Sequence, residues 1–341
     1  MIKMDNNSTK IAVLGAGVVG MTAAKLMQDS LRNAEITIIA DKFAEDTTSM
    51  VAAGIFRPGT SFRGRTKEIT QKWMRDSWDY WQDILRSSEA SNAGVMQVDG
   101  YIFSKDNYHV TRNHLMEDVV PLYRPVEENE LKLCGEGFKY GSYFSTIKAG
   151  CDCYLPWVER KFTAQGGKLS KSKLESFASL TRKYDLVLNC TGLGAKYLCD
   201  DHDLVPIRGQ IIKARAPWLK TAIYGDYDTY IIPGMDGVAT LGGTRQYDSY
   251  NLNVCRHDAN AILERCCEIV PSLKKADIVG HKVGLRPHRV PVRVEGELIN
   301  SLKVVHCYGH GGYGVMCAPG TALQAVQLGI DLLKSNTKNK I

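Results

Sequence analysis

Residues 11–24, IAVLGAGVVGMTAA, determine the fold of this chain of 341 residues. The aliphatic run at 11–14 is typical of a β-strand that is buried on both faces. It leads directly into the glycine-rich turn GAGVVG at 15–20 and then into a helical pattern at 21–29. A strand, a glycine turn and a helix in this order predict a parallel α/β sheet of the Rossmann type.

Each glycine of the turn has its own steric reason. Gly15 permits the tight turn, Gly17 lets the backbone approach a pyrophosphate, and Gly20 lets the helix pack closely on the strand. The next strand, at 35–40, ends at Asp41, where a carboxylate would bind ribose hydroxyls. The segment therefore predicts a dinucleotide site, and a glycine turn used only for packing is the alternative.

Composition restricts the class of protein. Hydrophobic residues make up 44% and charged residues 23%, as in soluble globular proteins of one or two domains. The formal charge is +6 with basic residues scattered, which favours anionic small molecules over nucleic acid. No apolar stretch reaches the roughly 18–20 residues of a membrane-spanning helix.

Ten cysteines occur without any CxxC spacing, so neither a zinc ribbon nor any other metal site is predicted. Isolated cysteines in apolar segments are typical of a reducing, intracellular compartment. The last six residues, NTKNKI at 336–341, lack the peroxisomal Ser-Lys-Leu ending, so the cytoplasm is favoured and the peroxisomal matrix stays open. The oligomeric state stays open as well.

The remaining chain alternates between two kinds of segment. Residues 61–95 predict a helix whose aromatic face, including Trp73, Trp78 and Trp81, belongs to the core. Residues 184–192 predict a strand that returns to the parallel sheet. Residues 205–244 predict mostly antiparallel strands, forming a sheet separate from the parallel one and a wall of a substrate pocket.

We expect a discontinuous dinucleotide-binding domain and a smaller substrate domain. The first comprises residues 1–95, 146–204 and 300–341, and the second comprises 96–145 and 205–299.

Three polar positions are functional candidates with ordinary alternatives. Arg245 follows a Gly-Gly pair and Arg286 precedes a proline, although each taken alone is typical of a surface arginine. His310 lies in a glycine-dense loop at 306–314, where it is either a catalytic base or a structural hydrogen-bonding group. An amphipathic helix follows at 321–334, and its positive end would point at what the loop binds.

Eight motifs occur together along nearly the whole chain: GAGVVG at 15–20, TTSMVAAG at 47–54, NCTGLGA at 189–195, RGQ at 208–210, YIIPG at 230–234, TLGGTRQ at 240–246, VGLRP at 283–287 and YGHGGYG at 308–314. In this order they resemble the D-amino-acid oxidase family. The resemblance implies a Rossmann-like FAD-binding domain, mixed α/β, and a mainly antiparallel substrate domain. It implies that FAD is bound by Gly15, Ala16, Gly17, Val18, Val19, Gly20, Asp41, Lys42, Thr47, Thr48, Ser49, Ala53, Gly54, Leu174, Thr191, Gly192, Gly309, Gly311, Gly312, Tyr313, Gly314 and Met316.

The resemblance also implies a reaction. Arg286 would bind the substrate α-carboxylate, Tyr230 would donate to the same group, and the carbonyl of Gly312 would orient the amine. The α-hydrogen would leave as hydride to the flavin without a side-chain base. Dioxygen would reoxidise the flavin, giving hydrogen peroxide, and the imino acid would hydrolyse to a 2-oxo acid and ammonia.

The motif TLGGTRQ, with Asn251 after it, is more similar to family members that act on acidic D-amino acids. Arg245 would then pair with the substrate's side-chain carboxylate, and Tyr224 would cover the pocket. The loop GHGGYG is instead similar to members that act on neutral D-amino acids, so that specificity is the alternative. A nicotinamide-dependent dehydrogenase and a non-catalytic flavin-binding sensor are the remaining hypotheses.

Overall fold

The structure is a computed structural model that describes residues 8–335. The C-terminal segment 336–341, on which the prediction of location depends, lies outside the described residues. The helices within 8–335 are α1 (Val18–Ser30), α2 (Lys67–Arg86), α3 (His114–Glu117), α4 (Cys151–Ala164), α5 (Ala195–Leu198), α6 (Arg256–Ile269) and α7 (Gly314–Ser335).

The strands within the same range are β1 (Lys10–Leu14), β2 (Glu35–Ala40), β3 (Val95–Ser104), β4 (Leu122–Pro125), β5 (Tyr140–Ala149), β6 (Lys168–Lys171), β7 (Leu186–Asn189), β8 (Val205–Arg215), β9 (Ala222–Tyr224), β10 (Tyr230–Ile232), β11 (Val238–Gly242), β12 (Gln246–Tyr247), β13 (Asp277–Ile299) and β14 (Leu302–His310). The fold is mixed α/β, as the sequence predicts.

The parallel part of the sheet has the order β6-β2-β1-β7-β14. Strand β1 is buried on both faces: Ile11 and Val13 pack into one apolar cluster, and Ala12 and Leu14 pack into another. The carboxyl ends of β1, β7 and β14 meet at one edge, where doubly wound sheets bind ligands. No helix between residues 8 and 335 is long and apolar enough to cross a membrane.

The expectation of a separate antiparallel sheet is wrong, because β13 joins both parts into one sheet. Its first half pairs with β8 up to His288, which also pairs with His310 of β14, and after a register shift its second half pairs with β14 from Arg293 onwards. The sequence conceals this continuity, since Pro287 and Pro291 lie where the strand changes partner and prolines normally end a strand. The order continues as β13-β8-β11-β10-β9-β3-β5-β4.

The helices cover the sheet by burying one face each. α1 packs against α4 and α7, and α2 packs against α7. The aromatic face predicted for α2 is confirmed as core, with Trp73 2% and Trp81 0% exposed. α6 covers the antiparallel strands, where Ile262 and Cys266 are fully buried.

α7 begins earlier than the sequence indicates, at Gly314 rather than at 321, and contains Pro319. α4 begins at Cys151 and contains Pro156. Each proline is the sixth residue of its helix, beyond the first turn whose N–H groups have no partner within the helix, so each removes one intrahelical hydrogen bond. The α7 N-terminus therefore directly follows the glycine-dense loop. The two-domain division stays a prediction.

Candidate active site

A cleft of about 1600 Å³ runs along the carboxyl ends of β1, β7 and β14 and reaches the antiparallel strands. Single-ligand pockets are typically about 300–1000 Å³, so this cleft has room for a large cofactor and a small substrate. Every site residue that the sequence predicts lines this cleft, except Gly20.

Gly15 and Gly20 shape the turn between β1 and α1. Gly15 has a φ of +97°, and its N–H donates to the Ile39 carbonyl at 2.9 Å. A Cβ at Gly15 would lie 2.5 Å from the Cys190 carbonyl oxygen, and one at Gly20 would lie 1.9 Å from the Gly15 carbonyl oxygen. Gly20 thus serves the close packing of the turn, and it does not line the cleft.

The N-terminus of α1 is free to receive an anion. Gly17 caps the helix without a side-chain hydrogen bond, and the first turn carries no acidic residue. The N–H of Val18 donates to Ser49 Oγ at 3.0 Å, which brings the hydroxyl-rich segment to the same place. A Cβ at Gly17 would meet only that hydroxyl oxygen, at 3.3 Å. These features fit a pyrophosphate held by a helix terminus.

Other predicted cofactor residues lie along the same wall of the cleft. A Cβ at Gly54 would lie 1.9 Å from the Ala149 carbonyl oxygen, so the segment passes close to β5. Thr191 Oγ1 donates to Asn189 Oδ1 at 2.7 Å, which fixes the turn after β7. Further lining positions are Ala16, Val19, Asp41, Lys42, Thr47, Thr48, Ala53, Leu174 and Gly192.

The glycine-dense segment forms another wall of the cleft, and its residues 306–310, expected as a loop, are instead the end of β14, so that only 311–313 form the turn into α7. Gly309 and Gly311 have φ values of +96° and +58°, which favour glycine. His310 is 3% exposed, and its Nε2 pairs with Thr321 Oγ1 at 2.8 Å, so it holds the loop to α7. The structural interpretation of His310 therefore fits better than that of a catalytic base. Gly312, Tyr313, Gly314 and Met316 complete this wall.

Arg286 and Tyr230 meet at the end of the cleft formed by antiparallel strands. The guanidinium of Arg286 donates from Nη1 to the Thr244 carbonyl at 2.9 Å and lies directly over Gly209. Gly312 borders the same side chain, since a Cβ there would lie 3.2 Å from Arg286 Cδ. Burial raises the pKa of Tyr230 against the opposing effect of Arg286, so its hydroxyl stays protonated and can donate.

Tyr224 and Arg245 flank this pair. The Tyr224 ring lies 6.0 Å from the Tyr230 ring, and burial raises the pKa of Tyr224. The side chain of Arg245 is 43% exposed and forms an ion pair with Asp228 Oδ1 at 2.9 Å. Burial acts to lower the pKa of Arg245, but Asp228 together with Tyr313 and Tyr247 outweighs it, and the pKa is raised.

Sequence reasoning missed Arg57, which also lines the cleft. Its guanidinium carbon lies 4.2 Å from the centre of the Tyr224 ring, and its Nε is buried without a hydrogen-bond partner in the described chain. The only signal in the sequence is its position three residues after Gly54, at the end of the predicted cofactor segment.

Comparison with known proteins agrees with this geometry. A family model described as FAD dependent oxidoreductase matches residues 10–328, so the chain belongs to that family. Human D-aspartate oxidase is 39% identical over 328 residues, covering 94% of this chain and 95% of the relative. A D-amino acid oxidase of Dugesia ryukyuensis is 33% identical over 332 residues, covering 95% and 98%.

Among solved structures, glycine oxidase from Bacillus cereus ATCC 14579 superposes with a TM-score of 0.76. It is 19% identical, and the match covers 96% of both chains, which establishes a shared fold. The resemblance to the D-amino-acid oxidase family is therefore confirmed, and the cofactor is FAD.

Proposed function

We propose that this protein is a D-aspartate oxidase that converts D-Asp, and also D-Glu and N-methyl-D-Asp, to a 2-oxo acid, ammonia and hydrogen peroxide. The observation that carries this proposal is that Arg286 and Arg245 line one cleft, where Arg286 contacts Tyr230 and donates to the carbonyl of the residue before Arg245. A dicarboxylate needs a cation for each carboxylate if both are to leave water. The 39% identity to human D-aspartate oxidase supports the proposal.

Three groups would hold the substrate at its α-carbon. The fork of Arg286 binds the α-carboxylate through two parallel hydrogen bonds. The protonated hydroxyl of Tyr230 donates to the same carboxylate, and the Gly312 carbonyl accepts from the amine. These contacts would hold the substrate in one orientation, so that the bond to the α-hydrogen always points the same way.

Bound FAD, held by the glycine turn at 15–20 and the segment at 309–316, would supply a hydride acceptor for the substrate α-carbon and, with dioxygen, the route to hydrogen peroxide. The substrate amine is neutral at this step and its lone pair assists, so the chain supplies no side-chain base. The engagement of His310 with Thr321 agrees with that assignment. The positive end of α7, at Gly314, stabilises negative charge that develops in the cleft.

Oxidation of neutral D-amino acids is the second candidate function. The ion pair between Arg245 and Asp228 favours it, because this pair offsets one positive charge at the substrate end of the cleft. A neutral side chain then needs no second cation.

Hydrogen peroxide release by the FAD-loaded protein tests the proposal, with D-Asp, D-Glu, N-methyl-D-Asp, D-Ala and L-Asp compared side by side. We expect strong release with D-Asp and none with L-Asp. Activity mainly on D-Ala would support the second candidate. Silence on every substrate, despite bound flavin, would contradict both candidates and favour a sensor.

An intracellular location accompanies this proposal. All ten cysteines are free thiols, and seven of them are buried. Such usage is typical of a reducing, intracellular compartment.

A further inference from the structure

We propose that Arg57 is a substrate-binding residue that pairs with the side-chain carboxylate of a dicarboxylic D-amino acid. The proposal rests on the proposed function, and it assigns the contact that would separate acidic from neutral substrates.

The backbone around Arg57 is held rigidly against its neighbours. Phe56 N–H donates to the Ile147 carbonyl at 2.8 Å, and the Phe56 carbonyl accepts from Thr146 Oγ1 at 2.8 Å. On the other side, Asn113 Nδ2 donates to the Pro58 carbonyl at 2.8 Å. The side chain of Arg57 therefore leaves a fixed base and lines the cleft from the wall formed by the N-terminal part of the chain.

The guanidinium of Arg57 is oriented but not neutralised. It lies 4.2 Å from the centre of the Tyr224 ring, an arrangement that holds the plane of an arginine while leaving its N–H groups available. Its buried Nε has no hydrogen-bond partner, and no carboxylate of residues 8–335 lies within ion-pair distance of it. A buried polar group without a partner carries a desolvation penalty, which a carboxylate ligand would remove.

Arg208 shows what a structural arginine looks like in this protein. It is 2% exposed, and it donates to the Asn251 carbonyl at 2.7 Å, to the Asn253 carbonyl at 2.7 Å and to Asp258 Oδ2 at 2.9 Å. Its charge and its donors are thus satisfied within the fold. Because residues 8–335 supply no such partner to Arg57, we infer that a bound ligand supplies it.

The pocket geometry identifies that partner as a second carboxylate. Tyr224 and Tyr230 are paired across β9 and β10, with Arg57 over the first ring and Arg286 beside the second. Two guanidinium groups thus flank one pair of aromatic rings whose centres lie 6.0 Å apart, so the pocket offers a cation to each end of a dicarboxylate. Arg245 is more exposed and already paired with an acid, so it serves the outer side of the same carboxylate.

The test compares the FAD-loaded wild type with Arg57→Gln and Arg57→Lys. Steady-state peroxide release gives kcat/KM for D-Asp and D-Ala, and calorimetry gives the dissociation constants of succinate and butyrate, which differ by one carboxylate. Arg112→Gln is the matched control, because Arg112 also lines the cleft but is held by both carboxylate oxygens of Glu117 at 2.6 and 2.7 Å.

In Arg57→Gln we expect the ratio of kcat/KM for D-Asp over D-Ala to fall by about 100-fold, as for a truncated buried charge pair. Succinate affinity should fall with it, butyrate affinity should not, and Arg57→Lys should restore part of the ratio. Arg112→Gln should keep the wild-type ratio.

The two proposals fail in different ways. An unchanged ratio and unchanged succinate affinity in Arg57→Gln, with a wild type that oxidises D-Asp, overturns the role of Arg57 alone. A wild type that neither oxidises D-Asp nor binds succinate overturns the proposed function. Flavin content and melting temperature of each variant show whether its fold is intact, and Arg57→Lys carries the test if Arg57→Gln does not fold.

Discussion

Substitution of Gly209 by alanine tests the placement of Arg286 without touching that arginine. Gly209 lies in β8, and a Cβ there would be 2.3 Å from Arg286 Cζ and 2.4 Å from Nη1. Ordinary contact begins near 3.4 Å, so the guanidinium must retreat by about 1 Å. Because it is the far end of a flexible side chain, the retreat strains the fold little.

The expected effect on activity is large. A misplacement of about 1 Å in a substrate-positioning group costs about 100-fold in rate. That factor equals about 2.7 kcal/mol of transition-state stabilisation. The loss should be similar for D-Asp and D-Ala, because both substrates carry the α-carboxylate that Arg286 would bind.

The assay is steady-state peroxide release, together with flavin absorbance and thermal unfolding of the same preparation. Gly280→Ala in β13 is the control, because a Cβ there meets nothing within 4 Å, and its kcat/KM should stay within about twofold of wild type. If Gly209→Ala kept wild-type kcat/KM with full flavin content, the reasoning that Arg286 is held over Gly209 to bind substrate would be refuted.

Two further predictions concern charge. Arg245→Gln should lower kcat/KM about 10-fold more for D-Asp than for D-Ala, because its half-exposed guanidinium is already paired with Asp228; equal losses in peroxide release on both substrates would contradict that role. Burial, followed by the charge of Lys148, lowers the pKa of Lys213 from 10.5 to about 8. Between pH 8 and 10.5 the unfolded chain therefore binds more protons than the folded chain, so the free energy of unfolding rises with pH. Urea unfolding of the wild type, compared with Lys213→Met, should show this rise as up to about 3 kcal/mol across that window. A difference that does not change with pH would contradict the prediction.

The parts of the fold that the sequence predicts well are those fixed by neighbouring residues. The turn from β1 to α1 depends on glycines within six positions of each other, and their steric requirements are local. The continuity of the sheet is different, because β13 changes its partner from β8 to β14 beside prolines that locally indicate a strand end. Only the pairing of distant strands reveals that the two sheets are one.

The candidate site also contains residues that the sequence predicts and one that only the structure reveals. Arg286 and Arg245 are found from motifs, whereas Arg57 becomes visible only when β9 brings Tyr224 beneath its guanidinium. The sequence does not show which arginine is available to a substrate carboxylate, because that depends on which acidic side chains the fold places next to each guanidinium.

Selectivity for a second carboxylate depends on uncompensated charge in the cleft rather than on the number of cations. Arg245 shares its charge with Asp228 at 2.9 Å and is 43% exposed, so water and that acid already weaken its field. Arg57 has no such acid within the described residues, and an aromatic ring covers one face of its guanidinium. A carboxylate gains more from the unpaired, less hydrated cation, because Coulomb attraction grows as the effective dielectric constant falls. Under the proposed function, the motif that resembles acidic-substrate enzymes and the residue that would confer the preference therefore need not coincide.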